Sequence, residues 1–209
     1  RIDEASPPVA ARLKDGSRVN AVIRPLALRG ACITIRKFAK IPLTLDNLIS
    51  YGALTEQIMR FLLRAVIAKK NILISGGTGT GKTTLLNALA AHIPDRDRIV
   101  LIEETAEIHL DKPNVLRLEA RRAQAPLGQE APLPPVTIAD LLRAALRHRP
   151  DRILVGEVRG AEAFDLLQAL NTGHLGSLST IHANSAEQAF TRLAHCVLTA
   201  NVGLPHRST

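Results

Sequence analysis

The sequence predicts an α/β domain, a mostly parallel sheet with helices on both faces, preceded by the end of a small α+β N-terminal domain. Three observations carry this. From residue 71 onward, short and wholly apolar runs of strand length alternate with helical patterns, as strands buried on both faces do. A glycine-rich turn separates the first such run from the helix after it. The composition is 46% hydrophobic but only 2% aromatic, which suits an aliphatic core and argues against an aromatic platform for single-stranded nucleic acid.

Residues 9–13 (VAARL) and 18–24 (RVNAVIR) flank Lys14-Asp15-Gly16-Ser17, and a run–Asp-Gly–run pattern reads as a β-hairpin. A third run, 31–36 (ACITIR), adds a strand. Residues 37–44 (KFAKIPLT) read as a linker and hinge. The expected division is 1–36 for the C-terminal portion of the first domain, 37–44 for the linker and 45–209 for the second domain. Thr44-Leu45-Asp46-Asn47 and Thr55-Glu56 look like helix starts. After the second, Ile58, Met59, Phe61, Leu62, Leu63, Val66 and Ile67 form an apolar stripe at helical spacing, read as core. Strands are expected at 71–75 (NILIS), 98–103 (RIVLIE), 152–155 (RILV) and 177–181 (SLSTI), with a hairpin strand near 115–118. Helices are expected over LLNALAAHI, 137–148, 161–171 and from 185. The Pro, Ala and Gln between 121 and 135 mark a surface loop.

The formal net charge is +8. The arginines that dominate it form no dense block, so solvation and contacts to nucleotide or subunits are preferred to direct nucleic-acid binding. Cys32 and Cys196 make no metal spacing and read as two free buried thiols in a reducing compartment. No stretch reaches membrane-span length and no charged-then-apolar leader opens the chain, which reads as cytosolic. The start at Arg1-Ile2-Asp3 and the stop at Ser208-Thr209 read as a piece of a longer protein.

The chemistry begins at Gly76-Gly77-Thr78-Gly79-Thr80-Gly81-Lys82-Thr83, which fits G-x-x-x-x-G-K-[ST]. Glycines let the backbone fold around an anion with successive N–H groups aimed at phosphate oxygens. The following helix adds its positive end. Lys82 supplies a charge to the β- and γ-phosphates, and the Thr83 hydroxyl is a ligand for Mg²⁺. Such a loop needs an acid to position the metal and a group to activate water. Glu103, Glu104 and Glu107 end the strand at 98–103, and Glu157 follows the strand at 152–155. Ligands of parallel sheets sit beyond the carboxyl ends of the strands, so both clusters are expected to converge on the loop. His174 and His182 bracket the last strand. Each alone reads as structural, but with Thr180 they form a candidate γ-phosphate sensor. Zinc is disfavoured because no cysteine partners them.

In order, GGTGTGKTT, IEETAEI, RPDRILVGEVRGAEAFDLLQALNTGH and GSLSTIHANS resemble the ATPases of type II and type IV secretion and pilus assembly. The similarity is greatest to those of conjugation and type IV secretion, together with the Tad-type pilus ATPases. It covers nearly the whole chain. The resemblance implies a RecA-like P-loop NTPase domain that binds ATP with Mg²⁺. It also implies a hexameric ring at the cytoplasmic side of the bacterial inner membrane, working with inner-membrane components of the machine and allowing peripheral membrane association. Carried over residue by residue, Gly76 to Thr84 match the Walker A loop, so Gly76, Gly77, Thr78, Gly79, Thr80, Gly81, Lys82, Thr83 and Thr84 are nucleotide-binding candidates. Glu103, Glu104 and Glu107 match the "Asp box", with Glu104 and Thr83 as the Mg²⁺ candidates. Gly156 and Glu157 match an atypical Walker B, and His174 to His182 the "His box". Arg18 and Arg36 fall where the family's N-terminal domain offers arginines to nucleotide, across a subunit boundary in some readings. Glu104 stands where the family usually has Asp.

The expected reaction is hydrolysis of ATP to ADP and phosphate, coupled to domain motion. Two alternatives stay open: a RecA-like nucleic-acid translocase, whose ATPase would respond to DNA and fall steeply with salt, and a nucleotide-gated assembly factor that does not hydrolyse.

Overall fold

Leu13 N–H donates to Ser17 O and Gly16 N–H to Leu13 O, both at 2.9 Å. Asp15 Oδ1 accepts from Ser17 N–H at 2.9 Å, and Gly16 takes φ +86°. These bonds close the turn between β1 (Pro8–Arg12) and β2 (Arg18–Val22), which pair antiparallel as the Asp-Gly signal predicts. Strand β3 (Cys32–Arg36) pairs with the other side of β2. Cys32 is exposed, contrary to the buried thiol expected, because both faces of this edge strand are open to solvent; Cys196 is buried.

The computed structural model describes residues 2–4, 7–37, 42–121 and 133–200. The chain divides into two units, Arg1–Ile41 and Pro42–Thr209. Residues 38–41 of the expected linker, 122–132 of the expected loop and 201–209 lie outside the described residues.

In the second unit, Thr44 caps α1 (Leu45–Ser50) through a capping box with Asn47, and Thr55 caps α2 (Glu56–Ile67). The α2 stripe is only half core. Val66 is buried and Met59, Leu62 and Leu63 pack on the core, whereas Ile58, Phe61 and Ile67 are exposed. Strands β4 (Ile72–Gly76), β5 (Ile99–Glu103), β6 (Val115–Glu119), β7 (Arg152–Val158) and β8 (Leu178–His182) form one sheet in the order β4-β8-β7-β5-β6. Every pairing is parallel. Side chains alternate between faces along a strand, and β5 shows the result. Ile99 and Leu101 enter the core beneath α2 and α3 (Lys82–Ala90). Val100 and Ile102 enter the core under α4 (Ile138–Ala145), α5 (Glu162–Asn171) and α6 (Ala186–Leu198). Helices therefore cover both faces, as expected. Among the described residues no helix is long and apolar enough to cross a membrane.

Two details differ from expectation. The strand at 115–119 is no hairpin arm but runs parallel to β5, because residues 104–114 carry the chain back to its amino end, where Ile99 N–H meets Asn114 O at 2.9 Å. Strand β7 also outlasts its apolar run. Gly156 and Glu157 belong to it, at an irregularity in the β8 pairing between Val155 and Val158. At the other end of β7, Arg152 is wholly buried, donating to Asp97 Oδ2 (2.8 Å) and Val66 O (2.7 Å).

Candidate active site

The carboxyl ends of β4, β8, β7 and β5 lie side by side along one edge of the sheet, and the glycine loop leaves from the first of them. Gly79 and Gly81 take φ +75° and +89°, a left-handed backbone that only glycine adopts freely. A Cβ on Gly76 would stand 2.5 Å from Thr80 Oγ1, so the loop wraps with no room for a side chain there. Thr80 Oγ1 donates to Gly77 O (2.9 Å), and Lys82 Nζ reaches back over the loop to the same carbonyl (2.7 Å). Helix α3 starts at Lys82 with Gly81 as N-cap and no capping side chain. Its first amides, with those of the loop, form an anion cradle. Thr78 lies at the exposed tip, and Thr83 and Thr84 sit half-buried on the first turn of α3. A cavity of about 380 Å³ adjoins the loop, walled by Leu43, Leu48, Ala53 and Leu54.

Strand pairing builds the opposite wall. His182, at the exposed end of β8, stands in register with Gly76. Thr180 is buried and donates to Gly156 O at 2.7 Å, so its hydroxyl is spent on holding β7. Glu157 comes next along β7. A Cβ on Gly156 would lie 3.3 Å from Glu103 Cγ, which makes this glycine the space through which β5 and β7 close up. Glu103, 4% exposed, accepts from Glu107 N–H (2.8 Å) and Ile108 N–H (2.9 Å). Burial pushes its pKa above 4.5, against those two amides and Arg117. Its carboxylate is turned into the loop after β5. Glu104 and Glu157 instead face each other across Arg159, whose Nη1 is 2.6 Å from Glu104 and Nη2 2.7 Å from Glu157. The hydrogen bond to Glu157 is the largest reason the Arg159 pKa is raised.

The structure therefore brings Gly76 to Thr84, Glu103, Glu104, Glu107, Glu157 and His182 to one edge. It does not bring His174 there. That ring follows α5, with Nδ1 3.2 Å from Ala169 O, and precedes β8. The amino and carboxyl ends of β8 are four residue steps apart, about 13 Å, so His174 lies at the far edge of the sheet and the expected histidine pair is split. Arg18 and Arg36 belong to the other unit, as a cross-strand pair between β2 and β3. Sequence reasoning passed over Arg159, whose one signal was its place two residues after Glu157.

The site fits a nucleoside triphosphate with Mg²⁺ on its own chemistry. The cradle matches a polyphosphate. Thr83 and Glu104 are hard oxygen donors, and among the described residues no cluster of three His, Cys, Asp or Glu would hold a metal alone. Mg²⁺ normally takes one or two protein oxygens and completes its shell with phosphate and water.

A five-stranded parallel sheet with such a loop leaving the carboxyl end of β4 defines a RecA-like P-loop nucleotide-binding domain. The chain belongs to a family within that class, described as type II/IV secretion system protein, whose profile matches residues 1–202. It is 41% identical over 208 residues to the type IV secretion system protein PtlH of Bordetella pertussis, covering 90% of this chain and 60% of that protein. It is 39% identical over 195 residues to the conjugal transfer protein TrbB of Rhizobium radiobacter, covering 91% and 56%. The solved VirB11 ATPase of the Brucella suis type IV secretion system superposes with a TM-score of 0.61 at 34% identity, covering 98% of this chain and 67% of that one. The chain thus spans little more than half the length of the two curated relatives.

Proposed function

We propose that the chain is the catalytic core of an ATP-hydrolysing motor, assembled as a ring, that drives secretion, conjugation or pilus assembly at the cytoplasmic side of an inner membrane. One observation carries the reading: Glu157 lies at the carboxyl end of the strand two places from the one that bears the phosphate loop. At about 4.8 Å per strand, the two ends stand roughly 10 Å apart, room for a γ-phosphate and one water. The loop amides and Lys82 hold the β- and γ-phosphates, and Thr83 and Glu104 would hold Mg²⁺, which would supply positive charge against the phosphates. Glu157 orders a water in line and accepts its proton as the new O–P bond forms. The bond from γ-phosphorus to the bridging oxygen breaks, and ADP keeps the electron pair. His182 is placed to read the γ-phosphate. Arg18 and Arg36 are assigned to transition-state charge, from the same or a neighbouring subunit. His174 has no role in this scheme, Glu103 supports the loop that carries Glu104 and Glu107, and Glu107 is left a second-rank acid.

The test is phosphate release from MgATP by purified protein, with nucleotide binding measured in parallel. Lys82→Ala should abolish turnover. Glu157→Gln should bind ATP as the parent does while losing at least about a hundredfold in rate. Parental turnover in Glu157→Gln would remove Glu157 as the base. Light scattering with and without nucleotide tests the ring.

A further inference from the structure

Arg159 stands where the two candidate acids meet, and each of its terminal nitrogens bonds one of them. Nη1 lies 2.6 Å from Glu104 Oε2 and Nη2 lies 2.7 Å from Glu157 Oε2, so one guanidinium spans carboxylates that leave two different strands. The turn that carries it is fixed as well. Glu162 Oε1 accepts from the backbone N–H of Arg159 (2.5 Å) and of Gly160 (2.9 Å), which pins the chain just after β7. Two carboxylates brought to one place repel unless a cation stands between them. A guanidinium removes that repulsion and, having a rigid fork, sets the distance and angle between the two oxygens.

We propose that Arg159 is a positioning residue for hydrolysis, holding Glu157 in line for the water and Glu104 beside it. Its contribution is to turnover, while nucleotide affinity stays with the loop. The proposal rests on the reading of Glu157 as the base. The bridge differs from an arginine that touches phosphate in what it holds, since each terminal nitrogen bonds one of the acids.

The experiment compares Arg159→Ala, Arg159→Lys and Glu157→Gln, with the double variant, in steady-state hydrolysis over a range of MgATP and in equilibrium nucleotide binding. Arg159 is 60% exposed, so the melting temperatures of the single variants should stay within a few degrees of the parent. Arg159→Ala is expected to lower kcat on the order of 10- to 100-fold, the scale of a misplaced catalytic group, with KM changed by less than about threefold. Arg159→Lys should recover part of the loss, since an ammonium reaches one carboxylate at a time. In the Glu157→Gln background, removing Arg159 should cost little more, as expected of residues that act as one unit. The proposal is overturned by a parental kcat in Arg159→Ala, by a KM raised tenfold or more at constant kcat (a phosphate contact), or by additive losses in the double variant. An active parent with an inactive Glu157→Gln and a parental Arg159→Ala sinks this inference alone. An inactive parent, or a fully active Glu157→Gln, sinks the reading of the site and this inference with it.

Discussion

Glu103 can be made to reveal whether its carboxylate does chemistry or holds a loop, because two substitutions separate the jobs. Its Oε1 accepts two backbone amides, Glu107 at 2.8 Å and Ile108 at 2.9 Å. Ile108 is wholly buried, and its carbonyl accepts from the Arg117 guanidinium. Glu103→Ala strands both amides. At about 1–3 kcal/mol for each unsatisfied group, the loss is roughly 2–6 kcal/mol. For a chain of this size that lowers the melting temperature by about 5–20 °C. Glu103→Gln keeps an acceptor at Oε1. What it gives up is the charge and the 3.6 Å pairing with Arg117, whose side chain is 43% exposed, an interaction worth under about 1 kcal/mol when so screened. The assay is thermal melting beside phosphate release. Gln should melt within about 3 °C of the parent and turn over within about threefold of it. Ala should lose both stability and rate, because the loop it frees carries Glu104 and Glu107. A hundredfold fall in rate for Glu103→Gln at unchanged melting temperature would refute the argument and put the charge into the reaction.

The same carboxyl gives a pH signature. Burial raises its native pKa above 4.5, so over the interval just above 4.5 the folded chain holds a proton that the unfolded chain has released. Stability from this group is therefore full below 4.5 and falls as pH rises through the native value. Glu103→Gln has no such fall, and its stability relative to the parent should improve between pH 4 and pH 7.

Asp97→Ala leaves the wholly buried Arg152 guanidinium without its carboxylate and should cost about 3–5 kcal/mol; a urea midpoint that moves by less than the equivalent of about 1 kcal/mol would show that Arg152 finds another partner. Thr137→Ala breaks the capping box of α4 at about 1 kcal/mol. Its hydroxyl is the first reason Asp140 titrates at about 2 instead of 3.8, so the cap is intact above 3.8 and fails as pH falls toward 2. The gap between variant and parent in acid unfolding should close over that window; a constant gap would refute the pairing.

What could be read from the residues alone was whatever is encoded within a few positions. Asp15-Gly16 announced its turn, Thr44 and Thr55 announced their helices, and the apolar runs at 71–75, 98–103, 152–155 and 177–181 announced strands of a parallel sheet. The direction of β6 was not announced, because a run of five residues says nothing of which way its neighbour runs. Nothing beside Arg152 in the sequence marks it as buried; its burial depends on Asp97, 55 residues away. Arg159 was hidden in the same way, since Glu104 comes to it from the end of another strand; Glu103 was legible as a candidate acid, but its hold on the amides of Glu107 and Ile108 was not.

The two histidines show why a contiguous motif is not always a site. A motif converges when its backbone turns, as the loop from Gly76 to Thr83 does, with every residue returned to one centre. A motif that runs through a strand is pulled apart at about 3.3 Å per residue, and the stretch from His174 to His182 contains all of β8. Its two ends consequently face opposite edges, and His182 alone, in register with Gly76, shares an edge with the loop. Convergence along that edge comes instead from parallel pairing. Glu104 and Glu157 lie 53 positions apart in the chain yet meet on Arg159, because β5 and β7 are neighbours that end together. For a sheet of this kind, the residues to compare across the sequence are those just past each strand's carboxyl end.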